Sequence, residues 1–593
     1  MKQFFVTVAG VFVGLLLFAV LVPVVLVSMV AGAVKPTPLP GRMVLTLDLR
    51  QRLVDQEPQG ARALFGGAGN SVMGIEDTLR RAGADSKVAA LYVRLPEGGM
   101  DPAAADELRA AFLKFRAAGK PIVAISQGLY PAGVVTSTYE LATASGNLWM
   151  QPSSSFQVTG IAAQDVFFRR FFDRYGIHAD YQQRYEFKNA VNPYLYSDYT
   201  EPHRTSELSW MGSVYETALA AAAADRKMTP QALRAIIEAG PYSAEDAKAK
   251  GLIDQVGEVA EAEAAVLRLA GDGAKLTPFS TYANRSRGAA GPSGAPVVAL
   301  IQAEGAIITG NDQDASPLGS SATIYSDDVA KAFEKAAADK DVRAIVFRVS
   351  SPGGSDTASE QILAAVRAAR KAGKPVVVSM GTYAASGGYW ISSQANEIVA
   401  EPSTLTGSIG VFGGKFALGE ALGRFGVDMR GLSVGGDYAG AFGSAEPMTA
   451  TQEAAFSAWM DRIYAGFVGR VAEGRRLPVA RVAEIARGRV WTGAQARGLG
   501  LVDSLGGLPQ AIDRAKALAR ITGEARIKPF EVGSNPFSAL AHLFGGGGAD
   551  SAHIMTAVHD VAGDPEAQAI LNEIHDARLR SQGATVLAPR LLR

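Results

Sequence analysis

Val342-Arg-Ala-Ile-Val-Phe-Arg348, followed by Gly353-Gly354, Gly373-Lys-Pro-Val-Val377 and Tyr383, repeats an earlier passage of the same chain. That passage is Val88-Ala-Ala-Leu-Tyr-Val-Arg94, Gly98-Gly99, Gly119-Lys-Pro-Ile-Val123 and Tyr130. Arg348 follows Arg94 by 348 − 94 = 254 positions, and Lys374 follows Lys120 by the same 254. Further on, Gly251-Leu-Ile-Asp254 is matched by Gly500-Leu-Val-Asp503 at an offset of 249. A register held with such small drift over roughly 200 positions marks a duplicated domain, because a chance match loses register within one element.

Each copy alternates short apolar runs with helical stretches. Ala344-Ile-Val-Phe-Arg-Val349 and Pro375-Val-Val-Val-Ser379 are continuous apolar runs, the pattern of strands buried on both faces. Between them, Ala358 to Arg370 repeats its apolar positions at helical spacing. Strand, helix and strand at these lengths form a right-handed parallel crossover, so the class is α/β.

The 593 residues suit two copies of roughly 230 residues each, near the upper end of domain size. Hydrophobic residues make up 48% and charged residues 20%, a globular composition with an added apolar segment. The formal net charge of 0 lacks the basic excess of a nucleic-acid binder. There is no cysteine, which excludes a thiol nucleophile, a disulfide framework and a thiolate-bound metal.

Phe4 to Val34 is an uncharged, mostly apolar run between Lys2 and Lys35, longer than the about 20 residues a bilayer span requires. It reads as a membrane anchor covering residues 1–40. A cleaved signal peptide is the competing reading, since Ala31-Gly-Ala33 has the small-x-small form, but its apolar region is ordinarily about 7–15 residues. The first repeat is expected over 41–283, a breaker-rich linker over 284–296 and the second repeat over 297–530. A partly flexible tail, 531–593, follows; beyond Gly545 to Gly548 it carries His553, His559 and His575, three of the six histidines.

Chemistry is expected where strands hand over to helices. Gly381-Thr-Tyr-Ala-Ala-Ser386-Gly-Gly-Tyr-Trp-Ile391 is a small-residue turn feeding a helix, and it exposes a serine where free backbone N–H groups can stabilise an oxyanion. The preceding crossover opens with Ser351-Pro-Gly-Gly-Ser355, whose glycines allow close backbone approach to a ligand. The same residues also read as an ordinary helix cap and turns. A nucleophilic serine requires a base, yet His178 and His203 have no helpful context. Lys188, in Tyr185-Glu-Phe-Lys-Asn-Ala-Val-Asn-Pro193, is a lone cation in an aromatic and apolar setting; its plain reading is a surface lysine with an apolar stem.

Ser-Pro-Gly-Gly-Ser at 351–355, Ala-Ala-Ser-Gly-Gly-Tyr-Trp at 384–390, Thr-Gly-Ser-Ile-Gly at 406–410 and Phe-Lys-Asn-Ala-Val-Asn-Pro at 187–193 resemble the signal peptide peptidase A (protease IV) family in its long, duplicated form. The resemblance runs from about residue 1 to 530. It implies two tandem crotonase- or Clp-protease-like repeats behind one N-terminal transmembrane helix. It further implies a membrane-anchored serine endopeptidase that clears cleaved signal peptides and other short or extended apolar peptides. The implied roles are Ser386 as nucleophile, Lys188 as general base, Ser408 as the hydroxyl that orients the lysine, and the amides of Gly354 and Gly387 as oxyanion donors. A homotetramer in the bacterial inner membrane, with the catalytic part periplasmic, is implied as well. No metal, organic cofactor or nucleic-acid partner is.

The two copies then divide one site. Gly133 occupies the first copy's serine position (386 − 133 = 253), and Gly435-Gly-Asp-Tyr-Ala439 occupies the second copy's lysine position (439 − 188 = 251). Each half lacks a different member, so the site must be assembled across halves, and assembly within one chain is expected. Two rival readings are a crotonase-like acyl-CoA enzyme, which would use a similar oxyanion hole, and a catalytically inactive membrane scaffold.

Overall fold

The computed structural model describes residues 38–51, 53–57, 71–286, 294–312, 322–532 and 586–587. The apolar run Phe4 to Val34 and most of the tail lie outside them. Among the described residues no helix is long and apolar enough to cross a membrane.

The first repeat builds a six-stranded parallel sheet in the order Gln255–Val256, Leu148–Met150, Ile122–Ser126, Val88–Arg94, Met43–Asp48, Lys275–Pro278. The second builds an eight-stranded sheet around Leu405–Gly407, Val376–Ala385, Val342–Ser351, Val297–Glu304 and Arg526–Phe530. Its apolar runs are buried on both faces, as the pleat requires. Ile345, Phe347 and Val349 face a core with Phe333 and Ile362, whereas Ala344 and Val346 face the opposite layer with Leu508 and Ala511. Met73, from the first repeat's helix Val72–Ala84, is part of that second layer, so the two repeats share a core.

The repeat is visible in the element boundaries. Helix Val72–Ala84 corresponds to Ser326–Ala338, and Pro102–Ala117 to Asp356–Lys371, each at the offset of 254. The long helices Glu201–Arg226 and Ala450–Arg475 begin on Thr200 and Thr449, whose side chains cap the first turn, and end on left-handed Lys227 and Arg476. Two boundaries differ from the expectation. The apolar run Pro375 to Ser379, expected to give way to a turn at Gly381, continues as strand to Ala385, because Tyr383 to Ala385 pair with Leu405 to Gly407. Asn284 to Ser286, expected as linker, complete helix Phe279–Ser286, whose Phe279, Tyr282 and Ala283 are buried.

One ribbon belongs to neither sheet. His178–Gln183 of the first repeat runs antiparallel to Phe412–Ala417 of the second, with Gln183 opposite Phe412. It carries the first repeat's chain into the second repeat's territory shortly before Lys188. The tail returns too: Val586–Leu587 lies antiparallel on Gly353–Gly354. The tail thus pairs with one of the turns expected to carry chemistry.

Candidate active site

Ser386 follows directly on strand Val376–Ala385 and caps helix Gly387–Ser392, with φ 56° and ψ −116°. Such a backbone is sparsely populated for a residue with a Cβ and costs on the order of 1–3 kcal/mol, so the surroundings must hold it. Its N–H donates to Gly407 O at 2.8 Å, and its carbonyl accepts from Trp390 N at 2.9 Å. Gly133, at the matching place in the first copy, has φ 63°, so that copy keeps the positive φ without the hydroxyl.

The two glycine turns converge. A Cβ on Gly387 would stand 2.9 Å from Gly354 N and 2.9 Å from Ser359 Oγ, and one on Gly354 would stand 2.0 Å from Ile307 O. Neither position accepts a side chain, and the Gly354 amide lies against Gly387 just after Ser386.

Lys188 is completely buried, and its Nζ lies 2.8 Å from Ser386 Oγ, 3.0 Å from Ser408 Oγ and 3.0 Å from Ser408 O. Burial holds its pKa well below the usual lysine value. Three oxygens surround Nζ, as many partners as an amine with one lone pair and two N–H groups can engage. Ser408 is itself left-handed at φ 49°, with its N–H donating to Arg489 O at 2.8 Å. All five residues singled out from the sequence therefore meet in one place, and the lysine meets the serine within a single chain.

The surroundings of Lys188 include residues the sequence reading missed. A Cβ on Gly488, which has φ 82°, would stand 2.5 Å from Lys188 Cβ, and one on Gly410 would stand 3.2 Å from its Cδ. Phe187 N donates to Arg487 O at 3.2 Å. Arg489 lies 5.2 Å from the ring centroid of Phe187 and 4.2 Å from that of Trp491, and Arg487 pairs with Glu186 at 2.6 Å. The signal was the lone glycine in Arg487-Gly-Arg489, which no catalytic pattern picks out. Among the described residues, the histidines stand apart. His178 is exposed with Nε2 3.1 Å from Glu420, and His203 is buried with Nε2 3.6 Å from Asp165.

Gly435 to Ala439, at the second copy's lysine position, lie in an exposed stretch that includes the short helix Asp437–Gly440. They place no cation near Gly133. The lysine and the serine of the cluster thus come from different copies.

The family model for peptidase family S49 matches twice, at residues 114–271 and 368–522. The chain is similar to Protease 4 of Salmonella typhi, 31% identical over 505 residues covering 81% of this chain and 79% of that one. It is similar as well to Protease 4 of Haemophilus influenzae, 28% identical over 86% of this chain and 85% of that one. The chloroplastic serine protease SPPA of Arabidopsis thaliana is 28% identical over 85% of this chain and 73% of that one. With the family domain present twice along an α/β framework, the chain belongs to peptidase family S49 and is a serine peptidase of the signal peptide peptidase A, or protease 4, type.

Proposed function

We propose that Ser386 and Lys188 form a Ser-Lys dyad that hydrolyses peptide bonds through an acyl-enzyme. The observation that carries this reading is a fully buried lysine amine 2.8 Å from a serine hydroxyl, its pKa depressed by burial. An ordinary lysine, with pKa about 10.4, would be protonated at neutral pH and could not accept a proton.

Neutral Lys188 takes the hydroxyl proton as Ser386 Oγ bonds to the substrate carbonyl carbon. The resulting oxyanion accepts from the N–H groups of Gly354 and Gly387. Lys188, now an ammonium, gives its proton to the departing amine as the C–N bond breaks, leaving an ester on Ser386. Water then adds to the ester with Lys188 again accepting the proton, and the acid product leaves as the hydroxyl is restored. Ser408 holds Nζ in line through both steps.

The substrates proposed are cleaved signal peptides and other short or extended apolar peptides, met at a membrane to which residues 1–40 anchor the chain. The location proposed is the bacterial inner membrane with the catalytic part in the periplasm, and each repeat takes a crotonase- or Clp-protease-like form. A homotetramer is proposed also. Helices Ser326–Ala338 and Asp356–Lys371 line an apolar groove with Ala330, Phe333, Ala337, Ala364 and Ala368. The first copy's matching helices are the ones that pack on the second repeat, and a face used head to tail within one chain suits head-to-tail joining of chains.

A fluorophosphonate probe tests the reading. Stoichiometric labelling at Ser386, lost in Ser386→Ala, is expected. Peptide cleavage by a protein that the probe leaves unmodified at Ser386 overturns it, as does the absence of both labelling and cleavage.

A further inference from the structure

Between the repeats lies a buried charged seam that the dyad does not use. Arg348, completely buried on strand Val342–Ser351, has every guanidinium N–H engaged. Nε donates to Asp55 at 3.0 Å, Nη1 to Glu107 at 3.2 Å and to Ser379 Oγ at 2.9 Å, and Nη2 to Glu107 at 2.7 Å and to the second oxygen of Asp55. Asp55 and Glu107 come from the first repeat. Ser379 is on the neighbouring strand Val376–Ala385.

Each contact falls on an element that delivers part of the site. The strand bearing Arg348 runs into Gly353–Gly354, and the strand bearing Ser379 ends at Ala385, just before Ser386. Helix Pro102–Ala117 adds a third anchor: Asp106 accepts from Ser403 N at 2.8 Å, just ahead of Leu405–Gly407 and Ser408. Glu107 also accepts from Leu508 N at 2.8 Å. The first repeat, which supplies Lys188, thus holds the approaches to Gly354, Ser386 and Ser408.

We propose that Arg348, with Asp55, Asp106 and Glu107, is the positioning device that registers the serine half of the site against the lysine half. A buried ion pair gives little net stability compared with apolar residues of the same shape, but it tolerates few relative placements of its partners. The second copy lacks the device. At the positions matching Asp106 and Glu107 it has Glu360, which pairs with Arg367 and Arg470, and Gln361, bonded to Ser326 and Asp327, all within its own repeat.

The inference rests on the dyad reading, and its test separates the two. The rate of fluorophosphonate labelling at Ser386, kcat and KM for a fluorogenic peptide, and the thermal midpoint are measured for wild type, Glu107→Gln, Asp106→Asn and the neutral triple variant Arg348→Met/Asp55→Asn/Glu107→Gln. A misplacement of about 1 Å costs on the order of 10²-fold. Glu107→Gln is therefore expected to lower kcat and the labelling rate by about that factor, with KM within about twofold. The triple variant leaves no unpaired guanidinium, and it is expected to hold its thermal midpoint near that of wild type while remaining slow. Wild-type kcat in the folded triple variant, or a lowered midpoint with unchanged labelling rate in both single variants, overturns the proposal. A single variant that unfolds leaves the decision to the triple. Absence of labelling in the wild-type protein itself defeats the dyad reading instead.

Discussion

Lys188 Nζ stands 2.8 Å from Ser386 Oγ although 198 positions of chain separate them. The approach is made by the ribbon His178–Gln183 on Phe412–Ala417, after which Arg184 N donates to Val411 O at 2.8 Å. Two groups that act as one unit give non-additive losses. Ser386→Ala and Lys188→Ala are each expected to lower kcat/KM by at least about 10³-fold, and the double variant to be no worse than either single. A double variant much slower than both would separate their roles.

Ser408 contributes two of the three partners of the lysine amine, one through its hydroxyl and one through its carbonyl. Ser408→Ala removes only the first. The loss of one such hydrogen bond, about 1.5–3 kcal/mol, corresponds to roughly a 10- to 100-fold fall in kcat, with the backbone contact keeping activity above that of Lys188→Ala. Full activity would exclude an orienting role for the hydroxyl.

The pH dependence follows from burial of the same lysine. Its folded pKa is depressed, so between the folded value and the ordinary one the native state holds a neutral amine where the unfolded chain binds a proton. Stability linked to this group is fully present above the ordinary lysine value of about 10.4 and is lost as pH falls toward the folded value. Lys188→Met is therefore expected to be inactive yet to melt higher than wild type at pH 7, with the gap closing toward pH 10. Activity runs the same way, with kcat/KM rising with pH through one ionisation below the ordinary lysine value. A gap between variant and wild type that stays constant from pH 7 to pH 10 would show that the amine is charged in the fold.

The seam between the repeats has the opposite sign. Burial, then the charge of Asp55, holds Glu304 up at about 7. Burial likewise raises Glu76 and Glu401, beside Asp106, Glu107, Arg348 and Lys114. An acid with a raised pKa contributes stability that is present below its ordinary value and lost as pH rises through the folded one. Glu304 accepts from Asp55 N and Gln56 N through its two oxygens, and Gln can keep only one of these bonds, so Glu304→Gln is expected to melt lower than wild type at pH 5 and to gain on it as pH rises to 8. An equal gap at both would place that proton elsewhere.

The fold class and the duplication were legible because buried parallel strands leave continuous apolar runs, and because Arg94 and Arg348 or Lys120 and Lys374 keep their spacing. Ser386 and Lys188 were legible for a different reason: each copy lacks what the other has, and Gly133 still shows a positive φ like the serine's. Other features left no local mark. Gly488 matters only because Lys188 is folded onto it, and Arg348 looked like one end of an apolar run until the first repeat brought Asp55 and Glu107 to it. Contacts between distant segments carry no period or spacing that a single sequence displays.

The tail gives the last prediction. Val586–Leu587 lies antiparallel on Gly353–Gly354, the edge that an extended peptide reaching the Gly354 amide would have to use. A chain segment at that edge competes with substrate at high effective concentration, because it is tethered. Removing residues 549–593 is therefore expected to lower KM for short peptides, with kcat little changed. The same deletion takes away His553, His559 and His575. With Lys188 as the base, the pH profile of kcat/KM keeps its shape, with no histidine limb near about 6.5 either before or after the deletion. A profile whose controlling ionisation disappears with the tail would transfer the base role to one of those histidines, and an unchanged KM would show that the tail does not compete.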